Sequence, residues 1–178
     1  MRKIRIRDLT LCALFAALSA IFSQLSLPIG PVPINLTHLS IFLAAGLLGA
    51  NLGALSQLAF VLLGIVGLPV FSGFSGGLSV LLGPTGGFIA GYIACAYVAG
   101  LVIERFGHKL PSALLAMVLG LVVTYALGLA WFMYSTGSSL AASLPLCVLP
   151  FLPGDAAKIL VSALLVGRLR PLLHREAR

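Results

Sequence analysis

Charged residues are scarce in this sequence. Only 8% of the 178 residues are charged, whereas 60% are hydrophobic. Soluble domains carry about 25% charged residues, and disordered chains combine low hydrophobicity with high charge, so neither class fits. Lys and Arg outnumber Asp and Glu by 11 to 4, but no basic stripe is interleaved with aromatic residues, so we expect no nucleic-acid partner. The composition predicts an integral membrane protein in contact with the lipid bilayer.

Cysteine is also rare, and Cys12, Cys95 and Cys147 lie in separate apolar segments. Their spacing fits neither a disulfide framework nor a metal site, so we expect buried thiols that act as small hydrophobic side chains and no bound metal. The sequence contains no Gly-Lys-Ser or Gly-Lys-Thr and therefore no phosphate-binding loop for ATP. The apolar segments hold no acid pair and no Ser/His/Asp set, so we expect neither an enzyme nor a cofactor.

Long apolar segments dominate what is present. A membrane-spanning helix needs roughly 20 apolar residues. Four segments meet this length, at 9–27, 84–103, 110–134 and 144–169. A fifth apolar run, 39–71, is too long for one spanning helix and short for two.

The positions of the basic residues settle how the fifth run is divided. The basic residues form three clusters, at 2–7, 105–109 and 168–178, and three linkers contain no charge, at 28–38, 69–85 and 135–143. Lys and Arg near span ends prefer the cytoplasmic side. All three clusters lie on that side if 39–71 forms two short helices that turn near 49–53. We therefore predict an all-α membrane protein with six transmembrane helices, both termini cytoplasmic, and a single integral membrane domain over residues 1–178.

Asp155 and Lys158 are the charges that this topology leaves inside a span. Residues three apart on a helix share a face, and a charge at the centre of a spanning helix costs about 2.5–3.5 kcal/mol on insertion scales. In one interpretation Asp155 caps a helix that restarts after Pro153, with Lys158 as its local counter-ion. In the other, which we favour, the pair belongs to a polar ligand site that opens outward. The two interpretations are compatible.

Two further patterns each allow a structural and a functional interpretation. The glycine-rich stretches 71–77 and 83–88 either serve turns and helix packing or bring backbone close to a small ligand. Alanine residues four apart on the first helix, which permit close helix contact, pack either inside the molecule or against a partner protein. These alanines are Ala13, Ala16, Ala17 and Ala20.

Five motifs, in this order and spacing, resemble the BioY family, the biotin-binding S components of energy-coupling factor (ECF) transporters. They are Gly30-Pro31-Val32-Pro33-Ile34, Ala44-Ala45-Gly46-Leu47-Leu48-Gly49, Gly67-Leu68-Pro69-Val70-Phe71 with Gly76-Gly77, Leu82-Gly83-Pro84-Thr85-Gly86-Gly87-Phe88, and Pro153-Gly154-Asp155-x-x-Lys158. The resemblance covers nearly the whole chain. It implies six helices, an outward-facing pocket, no catalysis and a location in the bacterial plasma membrane.

The resemblance also implies a biotin site. Asp155 and Lys158 would bind the ligand, because a carboxylate accepts hydrogen bonds from ureido N–H groups and an ammonium donates to a carbonyl or a carboxylate. Ser75, Gly76, Gly77 and Thr37 complete the expected substrate-binding set. Some relatives have Asn where this chain has Ser75 and Arg where it has Ile89. Many relatives have Gln in the loop after the Pro-Val-Pro, where this chain has Thr37.

The partners follow from the same resemblance. Ala13, Ala16, Ala17 and Ala20 would form the docking surface for the transmembrane T component, and partner ATPases would supply the energy. The Pro-rich first outer loop would act as a lid. The alternative function is a self-sufficient secondary carrier or channel for biotin or another small solute. Internal repeats would favour that alternative, and the sequence shows no convincing duplication.

Overall fold

The computed structural model describes residues 5–28 and 31–175, with side chains as far as residue 171. Within these residues the chain forms eight helices and one short antiparallel hairpin. The elements are α1 (Ile6–Gln24), β1 (Ser26–Leu27), β2 (Ile34–Asn35), α2 (Thr37–Leu48), α3 (Ala50–Ile65), α4 (Leu78–Leu82), α5 (Gly86–Phe106), α6 (Leu110–Thr136), α7 (Leu140–Cys147) and α8 (Leu152–Arg175). In the hairpin Ser26 pairs with Asn35 and Leu27 with Ile34.

Three of the described helices, α1, α5 and α6, are long and apolar enough to cross a membrane, and the bent pair α7 and α8 makes a fourth candidate span. Helices α2 and α3 are shorter, with 12 and 16 residues, or about 18 and 24 Å at 1.5 Å per residue. The protein is therefore a mostly helical membrane protein, which confirms the predicted class at this level.

The apolar run 39–71 is divided at Gly49, as predicted. Gly49 has φ 85° and separates α2 from α3. A side chain at this position would collide with the Glu104 carboxylate, which accepts a hydrogen bond of 2.9 Å from the backbone N–H of Ala50. Glutamate from α5 thus satisfies one of the free N–H groups at the start of α3, where negative charge is favourable.

The predicted span over 144–169 is divided into two helices in the structure. Helix α7 begins at Leu140 and ends at Cys147, α8 begins at Leu152, and the two are bent by 52°. Pro150 lies in the break, where its missing N–H and rigid ring oppose a continuous helix. The break places Asp155 in the first turn of α8.

The core confirms the expectation for cysteine, since Cys12, Cys95 and Cys147 are all buried free thiols. Helix α5 packs most extensively against α6. Two glycines four apart permit this contact, because a Cβ at Gly87 would collide with Trp131 and one at Gly91 would lie 3.1 Å from the Thr124 Cα.

Three long-range contacts gather the basic residues at one end of the molecule. Arg170 Nη1 donates a hydrogen bond of 3.2 Å to the Gly46 carbonyl near the end of α2. The thiol of Cys12, in the first half of α1, donates to the Leu52 carbonyl at the start of α3. Together with the Glu104 contact at the end of α5, they bring the α2–α3 turn to the end of the molecule that carries the described residues of the basic clusters.

The alanine face of α1 is divided between two environments. Ala13 and Ala17 are exposed, whereas Ala16 is buried in the main hydrophobic core and Ala20 packs against it. Ala16 thus packs inside the molecule and Ala20 is half-buried against the core, whereas the docking role of these alanines stays a prediction. Only Ala13 and Ala17 among these four face outward.

Candidate functional site

The two charges predicted inside a span form an ion pair. Lys158 Nζ donates to Asp155 Oδ1 at 2.7 Å, and the side chains are 8% and 2% exposed, respectively. Both lie in α8, one turn apart, on the face that points into the protein. Because the pair is buried, its hydrogen bond is stronger than that of an exposed pair.

The second oxygen of Asp155 is bonded by a residue of another helix. The Tyr125 hydroxyl, on α6, donates a hydrogen bond to Asp155 Oδ2. Both carboxylate oxygens therefore bond to side chains rather than to the N–H groups at the start of α8. Lys158 is the local counter-ion of Asp155, as one interpretation had it, but the helix-capping part of that interpretation is not what the geometry shows.

A small cavity of about 20 Å³ adjoins this cluster. Its wall includes Asp155, Lys158, Tyr125 and His38. His38 is buried, its ring lies edge-on to Tyr92 with centroids 5.3 Å apart, and its Nε2 atom has no hydrogen-bond partner among the described residues. A buried polar atom without a partner is destabilising, and a ligand in this cavity would supply the missing partner.

A larger cavity of about 220 Å³ lies next to the small one. Five residues line both cavities, which shows that the cavities are adjacent: Val32, Pro33, Asn35, Phe88 and Tyr92. The other residues of the larger cavity are Ser23, Thr37, Phe60, Phe71, Ser72, Ser75, Val80, Thr85 and Ile89. Its wall is thus apolar and aromatic with several hydroxyl groups, the composition typical of a small-molecule site.

Thr37 contributes a second polar atom without a partner. The residue is the first of α2 and is fully buried, and its Oγ1 has no hydrogen-bond partner in the described structure. Its backbone N–H donates to Asn35 Oδ1 at 3.1 Å. Each cavity therefore has one buried polar side chain, Thr37 or His38, whose hydrogen bonding is incomplete.

A cluster of neutral polar side chains lies where the larger cavity meets the hairpin and the loop after α3. Asn35 Nδ2 donates to Ser72 Oγ at 2.8 Å, and Ser75 Oγ donates to the Ser72 carbonyl at 2.9 Å. All three residues are half-buried. The cluster joins the hairpin to the glycine-rich loop that follows α3.

Gln24, the last residue of α1, holds this glycine-rich loop in place. Its Nε2 donates to the carbonyls of Pro69 at 3.2 Å and Phe71 at 3.1 Å. Its Oε1 accepts from the backbone N–H of Phe74 at 2.9 Å. The loop forms one wall of the larger cavity, because Phe71 and Ser75 line that cavity.

The predicted substrate-binding residues are distributed over three places. Asp155 and Lys158 line the small cavity, and Thr37 and Ser75 line the larger one. Gly76 and Gly77 line neither of these two cavities.

The two glycines have a packing role in the structure. A side chain at Gly76 would collide with the Leu68 carbonyl, and Gly77, with φ 95°, donates from its N–H to the Gly64 carbonyl at 2.7 Å. The loop therefore folds back on the end of α3, as the structural interpretation of the glycine pattern proposed.

Three residues of the site were not found from the sequence: Asn35, Tyr92 and Tyr125. Tyr125 meets Asp155 across 30 positions of sequence, and no local pattern marks such a contact. Asn35 had a weak signal, because it is the amide residue of the Pro-rich linker 28–38.

The sequence matches the BioY family over residues 1–175. The probable biotin transporter BioY of Pyrococcus horikoshii is 38% identical over 164 residues, which cover 92% of this chain and 96% of that protein. The biotin transporter BioY of Thermotoga maritima is 38% identical over 172 residues, which cover 93% and 97% of the two chains.

A solved structure agrees with the sequence comparison. A crystal structure described as the S component for biotin from an ECF-type ABC transporter superposes with a TM-score of 0.87 at 32% identity, and covers 93% of this chain and 92% of that one. Agreement over this length, in both sequence and fold, shows that the chain belongs to the BioY family.

Proposed function

We propose that this chain is a biotin-binding membrane subunit that mediates biotin uptake. The observation that carries the proposal is the buried cluster of Asp155, Lys158 and Tyr125 in the wall of a small cavity that adjoins a larger, uncharged one. The relatives are named as biotin transporters and not as enzymes. The family and the apolar helices make the chain an integral protein of the cell membrane.

The chemistry of the cluster suits the ureido ring of biotin. The ring has two N–H donors and one carbonyl acceptor, and Asp155 is a buried acceptor with a negative charge. Lys158 has three N–H groups and uses one on Asp155, so it can also donate to the ureido carbonyl. The apolar wall of the larger cavity suits the thioether ring and the alkyl tail.

Thr37 and Ser75 would contact the ligand in the larger cavity, and the Pro-rich loop would close over it. Val32 and Pro33, which line both cavities, support this lid. Gly76 and Gly77 would shape the loop, and the contact that we expected from them would be indirect.

We further propose six transmembrane helices, with α7 and α8 together as the last, and both termini in the cytoplasm. In this arrangement residues 1–178 form one membrane domain. The joining of the α2–α3 turn to Glu104 and Arg170 supports it, because Lys and Arg prefer the cytoplasmic side. The short α2 and α3 would then require little tilt or local thinning of the bilayer.

Energy would come from partner proteins. The sequence has no phosphate-binding loop, and the related structure is described as part of an ECF-type ABC transporter. A transmembrane T component with its ATPase subunits would therefore dock on this chain, at the exposed side of α1 that includes Ala13 and Ala17. If cells without these partners took up labelled biotin at the full rate, this proposal would fail and the chain would be a self-sufficient carrier.

Isothermal titration of the purified chain in detergent with biotin tests the ligand. The wild type should bind, and Asp155→Asn should weaken binding about a hundredfold, since hydrogen bonds to charged groups are worth about 1.5–3 kcal/mol each. Asp8→Asn, a carboxylate at the start of α1, is the matched control and should leave affinity unchanged.

Asp155→Asn leaves the Lys158 ammonium buried without its counter-ion, which is destabilising. The double variant Asp155→Asn with Lys158→Met removes both charges, and should fold and still fail to bind biotin tightly. Wild-type affinity in either folded variant would exclude the pair from the site. Absence of binding by the wild type would exclude biotin.

A further inference from the structure

Charge is unevenly distributed along the two adjoining cavities. Asp155 and Lys158 stand at one end, in the wall of the small cavity, whereas the described residues that line the larger cavity are all uncharged. The outer linkers 28–38, 69–85 and 135–143 also contain no charged residue, and this includes Ile29 and Gly30, which lie outside the described residues. The sequence therefore supplies no cation to the outer end of the larger cavity.

Biotin is itself polar at both ends, so its orientation matters. An ionised carboxylate at the ion pair could bond to Lys158, but it would also be repelled by the like charge of Asp155 in a buried place. The ureido group has no net charge and can use Asp155 as an acceptor and Lys158 as a donor. The ureido ring therefore belongs at the ion pair, and the alkyl tail extends into the larger cavity.

In this orientation the tail carboxylate lies in the larger cavity, whose wall includes the half-buried residues Asn35, Ser72 and Ser75. Ser72 Oγ accepts from Asn35, and its own hydroxyl hydrogen has no recorded acceptor in the described structure, so it can donate to a ligand. Transfer of an unpaired carboxylate into an apolar interior is very costly. Because these residues are half-buried, one side of the carboxylate stays hydrated, and neutral hydroxyl and amide groups donate hydrogen bonds to its other side.

We propose that this protein recognises the tail of biotin by shape and neutral hydrogen bonds and not by charge, and that it therefore also binds biotin derivatives whose carboxyl group is neutral. The inference rests on the proposed biotin function and specifies its ligand class. Asn35, Ser72 and Ser75 are the specificity-determining residues in this proposal. A hydroxyl or amide can donate to a carboxylate and to an amide carbonyl alike, whereas an ammonium or guanidinium strongly favours the carboxylate.

Competition titration of biotin against biotinamide tests this inference, because the two ligands differ only in the charge and hydrogen bonding of the terminal group. The purified chain in detergent should bind them with affinities within about threefold, a free-energy difference below about 0.7 kcal/mol. Biotin affinity should also change little between low and high salt, because exposed charge pairs, unlike neutral contacts, are screened.

Two variants add the cation that the larger cavity lacks. Val80→Arg places it on a half-buried residue of the wall, and Ile89→Arg on a buried one. Either variant, if folded, should prefer biotin over biotinamide by at least about tenfold, or about 1.4 kcal/mol. Tyr134→Arg, at the exposed end of α6, is the matched control and should not change the ratio.

The outcomes separate this inference from the function on which it rests. If the wild type binds neither ligand, the proposed function fails. If it binds biotin and discriminates against biotinamide by thirtyfold or more, the function stands and the neutral tail site is wrong, with Lys158 then the group that meets the carboxylate. If neither folded arginine variant changes the ratio, the tail does not lie in the larger cavity and the inference is also wrong.

Discussion

The hydroxyl of Tyr125 donates a hydrogen bond to the carboxylate of Asp155, and this bond joins α6 to the first turn of α8. Asp155 is bonded to Lys158 through its other oxygen. The orientation of the carboxylate is therefore fixed from two sides before any ligand arrives. A fixed acceptor reduces the ordering that binding would otherwise require.

Tyr125→Phe should weaken biotin binding about tenfold without unfolding the protein. Phenylalanine fills nearly the same volume, but the carboxylate loses one of its two partners and can rotate. A hydrogen bond to a charged group is worth about 1.5–3 kcal/mol, and part of this stabilisation acts on the ligand through Asp155. Isothermal titration gives the affinity. Tyr97→Phe, on the exposed side of α5, is the control, and equal affinities in the two variants would contradict the positioning role of Tyr125.

The ion pair could be predicted from the sequence because its two charges are three residues apart on one helix. The Tyr125 contact could not, because it depends on how α6 and α8 cross. The division of 39–71 at Gly49 was also predictable, since the basic clusters at distant positions require it.

The division of the alanine face of α1 into an exposed and a buried side could not be predicted from the sequence. The spacing of Ala13, Ala16, Ala17 and Ala20 is the same on both sides of α1. In a membrane helix the lipid-facing and core-facing sides are both apolar, so the sequence carries no polarity signal that separates them. The sequence allowed a helix that restarts after Pro153, but it did not give the position of the break between α7 and α8. Pro150 marks a possible break, but whether a proline kinks or divides a helix depends on the packing around it.

Gly49→Ala should lower stability more than Gly107→Ala. The two glycines have nearly the same backbone conformation, with φ 85° and ψ −175° at Gly49 and φ 87° and ψ 179° at Gly107. Alanine is strained there by about 1–3 kcal/mol. At Gly49 the new Cβ would also displace the Glu104 carboxylate from the start of α3, whereas the surroundings of Gly107 are open. Thermal unfolding in detergent measures the difference.

Because Gly107→Ala reproduces the backbone strain alone, the extra loss in Gly49→Ala reports the contact with Glu104. The combination of Gly49→Ala with Glu104→Gln should be less than additive, since both changes disturb one contact. Equal apparent melting temperatures for the two alanine variants would show that Glu104 does not stabilise the turn.

Ala17→Trp should prevent assembly with the T component and leave biotin binding within about twofold of the wild type. Ala17 is exposed on α1 and touches neither cavity. Copurification of a coexpressed T component measures assembly, and isothermal titration measures binding. Val122→Trp, which is equally bulky but on the exposed side of α6, should assemble normally. Normal assembly of Ala17→Trp would remove this side of α1 from the interface.

Ala16→Trp should behave differently from Ala17→Trp although the two residues are adjacent. Ala16 is 3% exposed and belongs to the main core, where overpacking costs typically 1–3 kcal/mol. We expect a lower apparent melting temperature in the isolated chain, before any partner is added. A stable Ala16→Trp variant that fails only in assembly would contradict the division of the alanine face.

Gln24→Ala should loosen the glycine-rich loop that forms one wall of the larger cavity. The variant loses the side-chain bonds to the carbonyls of Pro69 and Phe71 and to the N–H of Phe74. With about 0.5–1.5 kcal/mol for each bond, the loop should open locally, and its amides should exchange at least about tenfold faster. Ligand dissociation should also become faster, because Phe71 and Ser75 of this loop line the cavity.

Hydrogen exchange read by mass spectrometry over peptides that contain 69–77 measures the loosening, with and without biotin. Ser135→Ala is the control, because its hydroxyl bonds to the Phe132 carbonyl at the end of α6 and does not touch the loop. Gln24→Glu should be intermediate, since it keeps the acceptor for Phe74 and loses both donors. Unchanged exchange in Gln24→Ala would mean that the bridge between Phe71 and Ser75 and the packing of Phe71 on Gly64 suffice to hold the loop.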